Sequence, residues 1–282
     1  GYDFTPEQLT FLLAHDDDGY CRWDAAQRLY LAALQRLRAR PEQAHEEAEF
    51  LAPVLRRVAE RADEDPAQTA LLLALPGEGT IGDRHDEPID PDAIHAARAG
   101  LLETLGEALA DDIWWPLVER MATPGDYQPD AASVGRRSLR YRALEYLAAA
   151  RPEQTGLYLA RSFEQADNLT DRQGALRLLL NFELHGRDEA VAAFYRQWGD
   201  EPLALDQWFA LQAAVPGHAG VESVAELLEH PDFDWRLPNR VRAVLGTFAH
   251  ANPVAFHRPD GAGYGLFCRS LARLDELNPQ VA

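Results

Sequence analysis

Four stretches of the chain share one pattern: RYRALEYL at 140–147, DRQGALRLL at 171–179, DQWFALQA at 206–213 and NRVRAVLG at 239–246. Each carries an alanine at the matching position, and a second helical stretch follows before the next segment begins. Successive alanines are 32, 35 and 33 residues apart, at Ala143, Ala175, Ala210 and Ala243. Such a period is typical of stacked helix pairs, in which small residues let the helices approach closely. Chance agreement among Ala- and Leu-rich helices is the alternative.

Helix signals also occur before the repeats. Thr5, Pro6 and Gln8 have the spacing of a capping box with proline at the first helical position. Asp90-Pro91 repeats the combination of cap and proline, and Thr170 with Gln173 has the spacing of another box. Alternating strand residues are not convincing anywhere beyond the opening 2–4. We therefore expect an all-α fold, a superhelix of stacked antiparallel helix pairs of the HEAT or armadillo kind, with binding on its concave face.

Apolar stripes and breaks complete the pattern. The helix predicted over 22–37 has its stripe at Trp23, Ala26, Tyr30, Ala33 and Leu37. The helix that follows Asp90 has its stripe at Ile94, Ala97, Leu101, Leu105 and Leu109. The Gly- and Asp-rich stretch 77–92 is predicted to be a long irregular loop, and 123–130 a shorter break. Trp198, Trp208 and Phe209 are expected in the core between repeats.

Composition excludes several classes of protein. The chain has 282 residues, of which 46% are hydrophobic, enough for a sizeable core. It carries 46 acidic and 27 basic residues, a net charge of −19, and every basic residue is arginine. So acidic a surface repels phosphate backbones, and the apolar runs are too short to cross a bilayer, so we expect neither a nucleic-acid nor a membrane partner. Cys21 and Cys268 lie far apart, which favours a reducing compartment and a cytoplasmic location.

Catalytic and metal-binding patterns are weak. The string 45–49, HEEAE, lacks the second histidine of a zinc-peptidase helix, so we expect a solvated helix face. A denser group of residues could hold zinc or a hard cation: His85, Asp86, Asp90, Asp92 and His95. The alternative is structural, because Asp90 would serve as a helix cap and Asp92 would complement the helix dipole. The other three residues would then face water. Residues 15–19 resemble only the start of a calcium loop and are expected to form a turn between helices. Asp111 and Asp112 are adjacent on a helix and should point apart. We therefore expect no metal, no cofactor and no catalytic residue in this chain.

Two arginines near a predicted helix start are more informative. Arg240 and Arg242 follow Pro238-Asn239, and positive charge in a first helical turn opposes the helix dipole. A local rule broken in this way indicates an anionic partner. In so acidic a chain we expect an Asp or Glu of the neighbouring repeat, with a ligand carboxylate as the alternative.

Several strings then match one known family in order along nearly the whole chain. They are RWDAAQRL at 22–29, IDPDAIHAAR at 89–98, DNLTD at 167–171, LDQWFALQA at 205–213, LPNRVRAVLGTFAHANPVAFH at 237–257, DGAGY at 260–264 and LNPQVA at 277–282. This series resembles the C-terminal helical domain of bacterial aminopeptidase N. The resemblance implies that residues 1–4 are the remnant of a strand of the preceding β-sandwich domain. Residues 5–282 would be the C-terminal superhelix domain, truncated at its C-terminal end.

The resemblance further implies a non-catalytic part of a zinc aminopeptidase that removes N-terminal residues from peptides. The zinc ligands, the general-base Glu and the exopeptidase motif of the family belong to earlier domains and do not occur here. The helical domain would wall and gate a peptide chamber, with the catalytic domain of the same polypeptide and peptide substrates as its partners. Arg242 and Gln280 match family positions that face this chamber, where an arginine would suit a distal peptide carboxylate.

Two other functions remain open at this point. The chain could be a free-standing helical-repeat scaffold that binds a protein partner on its concave face. It could instead be an autonomous hydrolase that uses the cluster around His85 and His95.

Overall fold

The computed structural model describes residues 3–84, 88–123, 125–277 and 279–280. These residues form α-helices joined by turns and contain no β-strand, as the all-α prediction requires. The chain divides into two compact units, an N-terminal unit of residues 1–178 and a C-terminal unit of residues 179–282. The division falls inside one helix, α10.

The N-terminal unit contains nine described helices before α10. In chain order they are α1 Pro6–His15, α2 Gly19–Ala39, α3 Ala44–Glu60, α4 Pro66–Leu72, α5 Glu78–Gly82, α6 Pro91–Ala108, α7 Trp115–Arg120, α8 Ala131–Ala150 and α9 Pro152–Gln165. A 3₁₀ turn precedes α3 at Pro41–Gln43, and a π-helical segment precedes α7 at Ala110–Trp114. Helix α10, Leu169–Asn181, then passes into the second unit.

The C-terminal unit continues with shorter helices. They are α11 Arg187–Trp198, α12 Pro202–Ala213, α13 Gly220–Leu228, α14 Pro238–Val241, α15 Thr247–Ala251, α16 Pro253–Phe256 and α17 Ala262–Leu277. A π-helical segment, Arg242–Gly246, joins α14 to α15 without a break, so helical backbone runs over 238–251.

The repeat segments occupy the helices that the pattern predicts. They lie in α8, α10, α12 and the 238–251 helix, and each is followed by a further helix. Ala143 and Ala175 are fully buried, as close helix approach requires, whereas Ala210 and Ala243 are half-buried. The later repeats therefore keep the period but pack this position less tightly.

Caps at the helix starts satisfy backbone N–H groups in most of the predicted places. The Thr5 capping box is present with both of its hydrogen bonds, and Asp90 accepts from the N–H of Ala93 at 3.0 Å. Asp18 caps α2 after the predicted turn at 15–19. The box predicted at Thr170 is wrong, because α10 begins one residue earlier and Asn168 accepts from the Asp171 N–H at 2.9 Å.

Aromatic hydroxyls tie the core of the N-terminal unit to backbone carbonyls. The Trp114 ring stacks on Tyr146 at 4.3 Å between centroids, and both are fully buried. The Tyr146 hydroxyl donates to the Leu73 carbonyl at 2.9 Å, and the Tyr30 hydroxyl to that of Leu72 at 2.8 Å. These bonds satisfy carbonyls at the end of α4, where the helix leaves them without partners.

A glycine sets the approach of α6 to α8. A Cβ atom placed on Gly106 would lie 2.4 Å from the Tyr146 carbonyl oxygen, closer than real Cβ contacts. The buried stripe of α6 lies against this contact and agrees with the predicted positions, from Ile94 to Leu109. The two backbones can meet here only because the side chain is absent.

The aromatic core of the C-terminal unit surrounds one histidine. The His230 ring lies 5.3 to 5.4 Å from the rings of Tyr195, Trp208 and Phe209. Trp208 and Phe209 are buried, as predicted. Trp198 is only half-buried, although its indole N–H is enclosed without a described hydrogen-bond partner, so the prediction that it is a core residue is correct only in part.

Three smaller predictions are wrong. Trp23, at the N-terminal end of its stripe, is 37% exposed, while Ala26, Tyr30, Ala33 and Leu37 are buried. The stretch 77–92 is not wholly irregular, because α5 forms inside it. Glu47, predicted to face solvent, is buried and bonds to Arg36 with two hydrogen bonds, one of 2.7 Å. A local pattern could not show this partner, which belongs to α2.

The predicted strand remnant at residues 1–4 is only partly described. Residues 1 and 2 are not among the described residues, and residues 3 and 4 have no regular structure. That they belong to a strand of a preceding domain stays a prediction.

Candidate functional site

A cavity in the C-terminal unit brings together the two residues that the sequence singled out. Its volume is about 610 Å³. It is lined by the start of α12, the start of the 238–251 helix and one residue after α17: Pro202, Leu203, Asp206, Leu237, Pro238, Asn239, Arg240, Arg242 and Gln280. We call this the C-terminal cavity. Its lining combines an apolar lip with two guanidinium groups.

Arg240 is the buried guanidinium of this cavity. It is only 4% exposed, and its Nε donates to the Asp206 carboxylate while Nη1 donates to the Asp232 carbonyl. Its guanidinium also lies over the Phe209 ring, 5.0 Å from the centroid. Asp206 begins the preceding repeat segment, so the predicted acidic partner from the neighbouring repeat is confirmed for Arg240. Burial without that partner would leave an uncompensated charge.

Arg242 has a different environment two residues later. Its side chain is exposed and makes no hydrogen bond or ion pair with any residue that the structure describes. The expected acidic partner is therefore absent for Arg242 among these residues. Gln280 is also exposed, and Leu203 and Leu237, at 75% and 47% exposure, complete an open apolar rim. The cavity thus offers an available cation beside exposed apolar side chains.

The helix backbone changes where Arg242 lies. The π-helical segment starts at this residue, and the N–H of Thr247 bonds to the Arg242 carbonyl five residues back. A π segment inserts one residue into the helix and rotates the side chains that follow, and such segments are frequent at functional sites. The sequence carries no local signal for it, because the apolar spacing through 239–246 is that of an ordinary helix.

The predicted metal cluster is not assembled by the described residues. Across 3–84, 88–123, 125–277 and 279–280, no three His, Cys, Asp or Glu side chains come together as a metal site, so these residues do not fit a zinc ion. His85 and Asp86 lie outside the described residues. Half-buried His95 does not face water as predicted, because its Nδ1 lies 2.7 Å from Glu78 Oε1. That hydrogen bond raises the pKa of His95, and burial only partly opposes the rise.

The other candidates have structural partners. Asp111 and Asp112 point apart as predicted: Asp112 accepts from Arg56 at 3.2 Å, and Asp111 lies 3.8 Å from Arg151. Cys21 and Cys268 are both free and exposed. None of the described helices has the length and apolar character needed to cross a bilayer.

A buried charge cluster in the N-terminal unit was not predicted. Glu145, in the repeat segment of α8, bonds to Arg98 at 3.3 Å and to Arg142, and Arg177 also acts on it. Burial alone would raise the pKa of Glu145, but the three arginines hold it below the ordinary value. Its neighbours come from α6, α8 and α10, and no spacing within the sequence reveals that convergence. A second cavity, around Arg137, Arg140 and Asp171, was missed for the same reason.

Known proteins are similar to this chain over nearly its whole length. Residues 6–282 match the family described as "Domain of unknown function (DUF3458_C) ARM repeats". Aminopeptidase N of Caulobacter vibrioides is 37% identical over 281 residues, which are 99% of this chain and 32% of that protein. Aminopeptidase N of Escherichia coli is 34% identical over 283 residues, with 100% of this chain and 32% of that protein covered.

A solved structure agrees with these relatives. The crystal structure of Legionella pneumophila aminopeptidase A in complex with aspartic acid superposes with a TM-score of 0.88 at 27% identity. The alignment covers 100% of this chain and 33% of that one. The chain thus spans about a third of the length of the relatives that it matches. It belongs to the DUF3458_C family of ARM-repeat domains and is related over its whole length to the C-terminal part of aminopeptidase N.

Proposed function

We propose that this chain is the non-catalytic wall of a peptide chamber in a zinc aminopeptidase N, and that the C-terminal cavity receives the distal end of the peptide. The observation that carries the proposal is that Arg242 is exposed and has no partner among the described residues, at a cavity shared with Gln280. Its partners are then the catalytic domain of the same polypeptide and the peptide substrate. We propose a cytoplasmic location for the whole protein.

The two arginines of the cavity have separate tasks in this proposal. Arg240 is already neutralised by Asp206, so it holds the start of the 238–251 helix in place. Arg242 keeps its guanidinium N–H groups for a carboxylate, which an arginine can bind with two parallel hydrogen bonds. The Gln280 amide can donate to the same group or accept from a peptide N–H. Leu203 and Leu237 suit an apolar side chain near the peptide terminus.

The zinc chemistry of the parent enzyme is assigned to its catalytic domain. The described residues of this chain do not provide a ligand set for the ion, so none of its side chains is given a chemical step. Its contribution is positional: it orients the far end of a substrate whose other end is cleaved elsewhere. The chain on its own is then expected to release no arylamine from an alanyl arylamide and to bind no stoichiometric zinc.

The test uses the full-length polypeptide that contains the chain, with Arg242→Gln. Three substrates separate the effects: a tetrapeptide with a free C-terminal carboxylate, its C-terminal amide, and an alanyl arylamide too short to reach the cavity. A charge-assisted hydrogen bond contributes about 1.5–3 kcal/mol, so KM for the free tetrapeptide should rise about tenfold or more. The amide should respond much less, and the arylamide should keep its kcat and KM.

Arg236→Gln is the matched control. Arg236 is an exposed arginine of the same unit that does not line the cavity, so its replacement should change none of the three substrates. Equal effects of Arg242→Gln on the free and amidated tetrapeptides would refute the contact with the distal carboxylate. Full peptidase activity from upstream domains produced without this chain would refute the proposal that the chain forms a wall of the peptide chamber. It would favour a free-standing interaction scaffold.

A further inference from the structure

We propose that the N-terminal unit binds a free α-amino acid in a second cavity, formed by α8, α9, α10 and the segment before α8. We call it the N-terminal cavity. It has a volume of about 310 Å³ and includes polar side chains of both charges, among them Arg137, Arg140 and Asp171. The proposed function does not involve these residues. Ligand cavities range over about 300–1,000 Å³, so this one suits a small molecule better than a peptide.

The cationic side of the cavity consists of two arginines that form no direct ion pair with a described residue, although the charge of Asp171 acts on Arg140. Arg137 is 4% exposed, and its Nη2 donates to the Gln128 carbonyl at 2.7 Å while its guanidinium lies over the Tyr127 ring. Arg140 donates from Nη2 to the Tyr158 hydroxyl at 2.7 Å, and its Nε is buried without a hydrogen-bond partner among the described residues. Each guanidinium has five N–H donors, most of which make no hydrogen bond to a residue that the structure describes.

The anionic side is built around Asp171. One carboxylate oxygen, Oδ2, accepts from the Asn168 amide at 2.9 Å, and no described residue forms a hydrogen bond with the other, buried Oδ1. Asp126 and Asp167, both exposed, also line the cavity, so its lining includes three carboxylates and two guanidinium groups. A buried polar group without a partner costs about 1–3 kcal/mol. The unused donor on Arg140 and the unused acceptor on Asp171 therefore favour a ligand that supplies both complements.

The mixed charge of the lining selects the class of ligand. A simple carboxylate would pair with the arginines and leave Asp171 unsatisfied, and a simple amine would do the reverse. An α-amino acid carries a carboxylate and an ammonium group in one small molecule. Its carboxylate would lie toward Arg137 and Arg140, and its ammonium toward Asp171. Contact of the ligand with Nε and Oδ1 would require both side chains to turn toward it, because these two atoms are enclosed in the free chain.

One glycine helps to hold the anionic side in place. The Tyr141 hydroxyl donates to the Asp171 carbonyl at 2.7 Å, so the ring of Tyr141 fixes the start of α10 against α8. A Cβ atom on Gly174 would lie 2.6 Å from this ring, and only glycine leaves the ring its present position. The cavity is thus kept open by packing that does not depend on a bound molecule.

Isothermal titration of the 282-residue chain with glycine, L-leucine, L-glutamate and L-arginine tests the proposal. Saturable binding of one ligand per chain is expected for at least one of the four. For the ligand that binds, analogues that lack one charge complete the test; for leucine these are leucinamide, without the carboxylate, and 4-methylpentanoate, without the ammonium. Each analogue should bind at least about tenfold more weakly, which corresponds to 1.4 kcal/mol.

Three variants locate the binding. Arg140→Gln should remove the preference for the amino acid over its amide, and Asp171→Asn the preference over the analogue without ammonium. Ser162→Leu fills the cavity from α9 without changing a charge, so it should abolish binding even where a charge variant fails to fold. Arg161→Gln, at an exposed arginine of α9 that does not line the cavity, should bind as the unchanged chain does.

Two results would overturn the proposal. The first is the absence of saturable binding of all four amino acids up to about 10 mM, a dissociation constant weaker than any useful site. The second is binding that persists unchanged in Ser162→Leu, or that does not distinguish the amino acid from its two analogues. Either result would show that the N-terminal cavity is not a binding site for a free α-amino acid.

Discussion

One buried charged group in each unit can be compared by the number of oppositely charged or polar groups that surround it. In the N-terminal unit, three arginines act on one buried carboxylate, that of Glu145. In the C-terminal unit, one carboxylate and one carbonyl serve the single buried guanidinium of Arg240. The first group carries excess positive charge, and the second is locally neutral. The free-energy cost of removing one charged side chain should therefore depend on which charges remain buried beside it. The variants that follow test this in order of decreasing expected effect.

The largest effect is expected for Glu145→Gln. The change leaves three guanidinium groups close together with no carboxylate, and breaking a buried ion pair costs about 3–5 kcal/mol. The free energy of unfolding, measured at pH 7 by urea titration, should fall by that amount. Arg177→Gln is the control from the same cluster and should cost much less, because Glu145 keeps Arg98 and Arg142.

The pH dependence of the same variant gives an independent test. The pKa of Glu145 in the folded protein lies below its ordinary value of 4.5, so its contribution is complete above that value. The contribution is lost as the pH falls through the lowered pKa. The difference in unfolding free energy between the unchanged chain and Glu145→Gln should therefore shrink below about pH 4.5. A difference that stays constant down to pH 3 would contradict the lowered pKa.

The neutral pair of the C-terminal unit should tolerate joint replacement. Arg240→Met alone leaves Asp206 half-buried without its partner and should cost about 3 kcal/mol, at the low end for buried pairs. Arg240→Met combined with Asp206→Leu replaces both charges with apolar groups and should recover most of that loss. Urea unfolding of the two variants measures the difference. Arg242→Gln, at an exposed position, should change stability by less than about 0.5 kcal/mol.

Two glycines of α6 should respond with opposite signs. Gly106→Ala places a Cβ against the Tyr146 carbonyl and should destabilise the chain by about 1–3 kcal/mol, the usual cost of overpacking. Gly100→Ala meets only the Ala44 Cβ at 4.0 Å and should stabilise the helix by about 0.5–1 kcal/mol. Thermal unfolding midpoints should therefore move in opposite directions. A similar shift for both would mean that α6 and α8 are not in close backbone contact.

The smallest effect is expected at the half-buried pair of His95 and Glu78. The pKa of His95 in the folded protein is raised above 6.5, so its stabilisation is complete below that value and disappears as the pH rises through the raised pKa. His95→Gln should therefore cost less than about 1 kcal/mol at pH 5.5, after allowance for solvent screening of a partly exposed pair, and nothing from this source at pH 9. Urea unfolding at both pH values provides the measurement.

Local rules predicted the helices well. A cap, a proline and an apolar stripe suffice to start and direct an isolated helix, and the Thr5 and Asp90 starts formed as expected. The repeat period was also predictable, because an alanine recurs at the matching position of all four segments, although only Ala143 and Ala175 are fully buried. Arg240 could be assigned an acidic partner because its charge conflicts with the helix dipole, a conflict that is visible within four residues.

The sites were less accessible to sequence reasoning. The N-terminal cavity combines Arg137 and Arg140 of α8 with Asp171 of α10, and the neighbours of these residues along the chain give no sign that the two helices meet there. Glu47 was predicted to face water because its own helix is polar at that point, whereas its partner lies on α2. The π-helical segment at Arg242 arises from packing around 238–251 and leaves the apolar spacing unchanged. Each failure concerns contacts between helices rather than within one.

The two free cysteines provide one thiol for chemical labelling in each unit. Cys21 lies in α2 of the N-terminal unit and Cys268 in α17 of the C-terminal unit, and both are exposed. The hydrogen bond to Asp18 raises the pKa of Cys21, so its reactive thiolate forms at a higher pH than that of an ordinary cysteine. A maleimide dye can be attached at Cys268 in Cys21→Ser and at Cys21 in Cys268→Ser. With a donor dye on one thiol and an acceptor dye on the other, resonance energy transfer would measure whether the distance between Cys21 and Cys268 changes when a ligand is added.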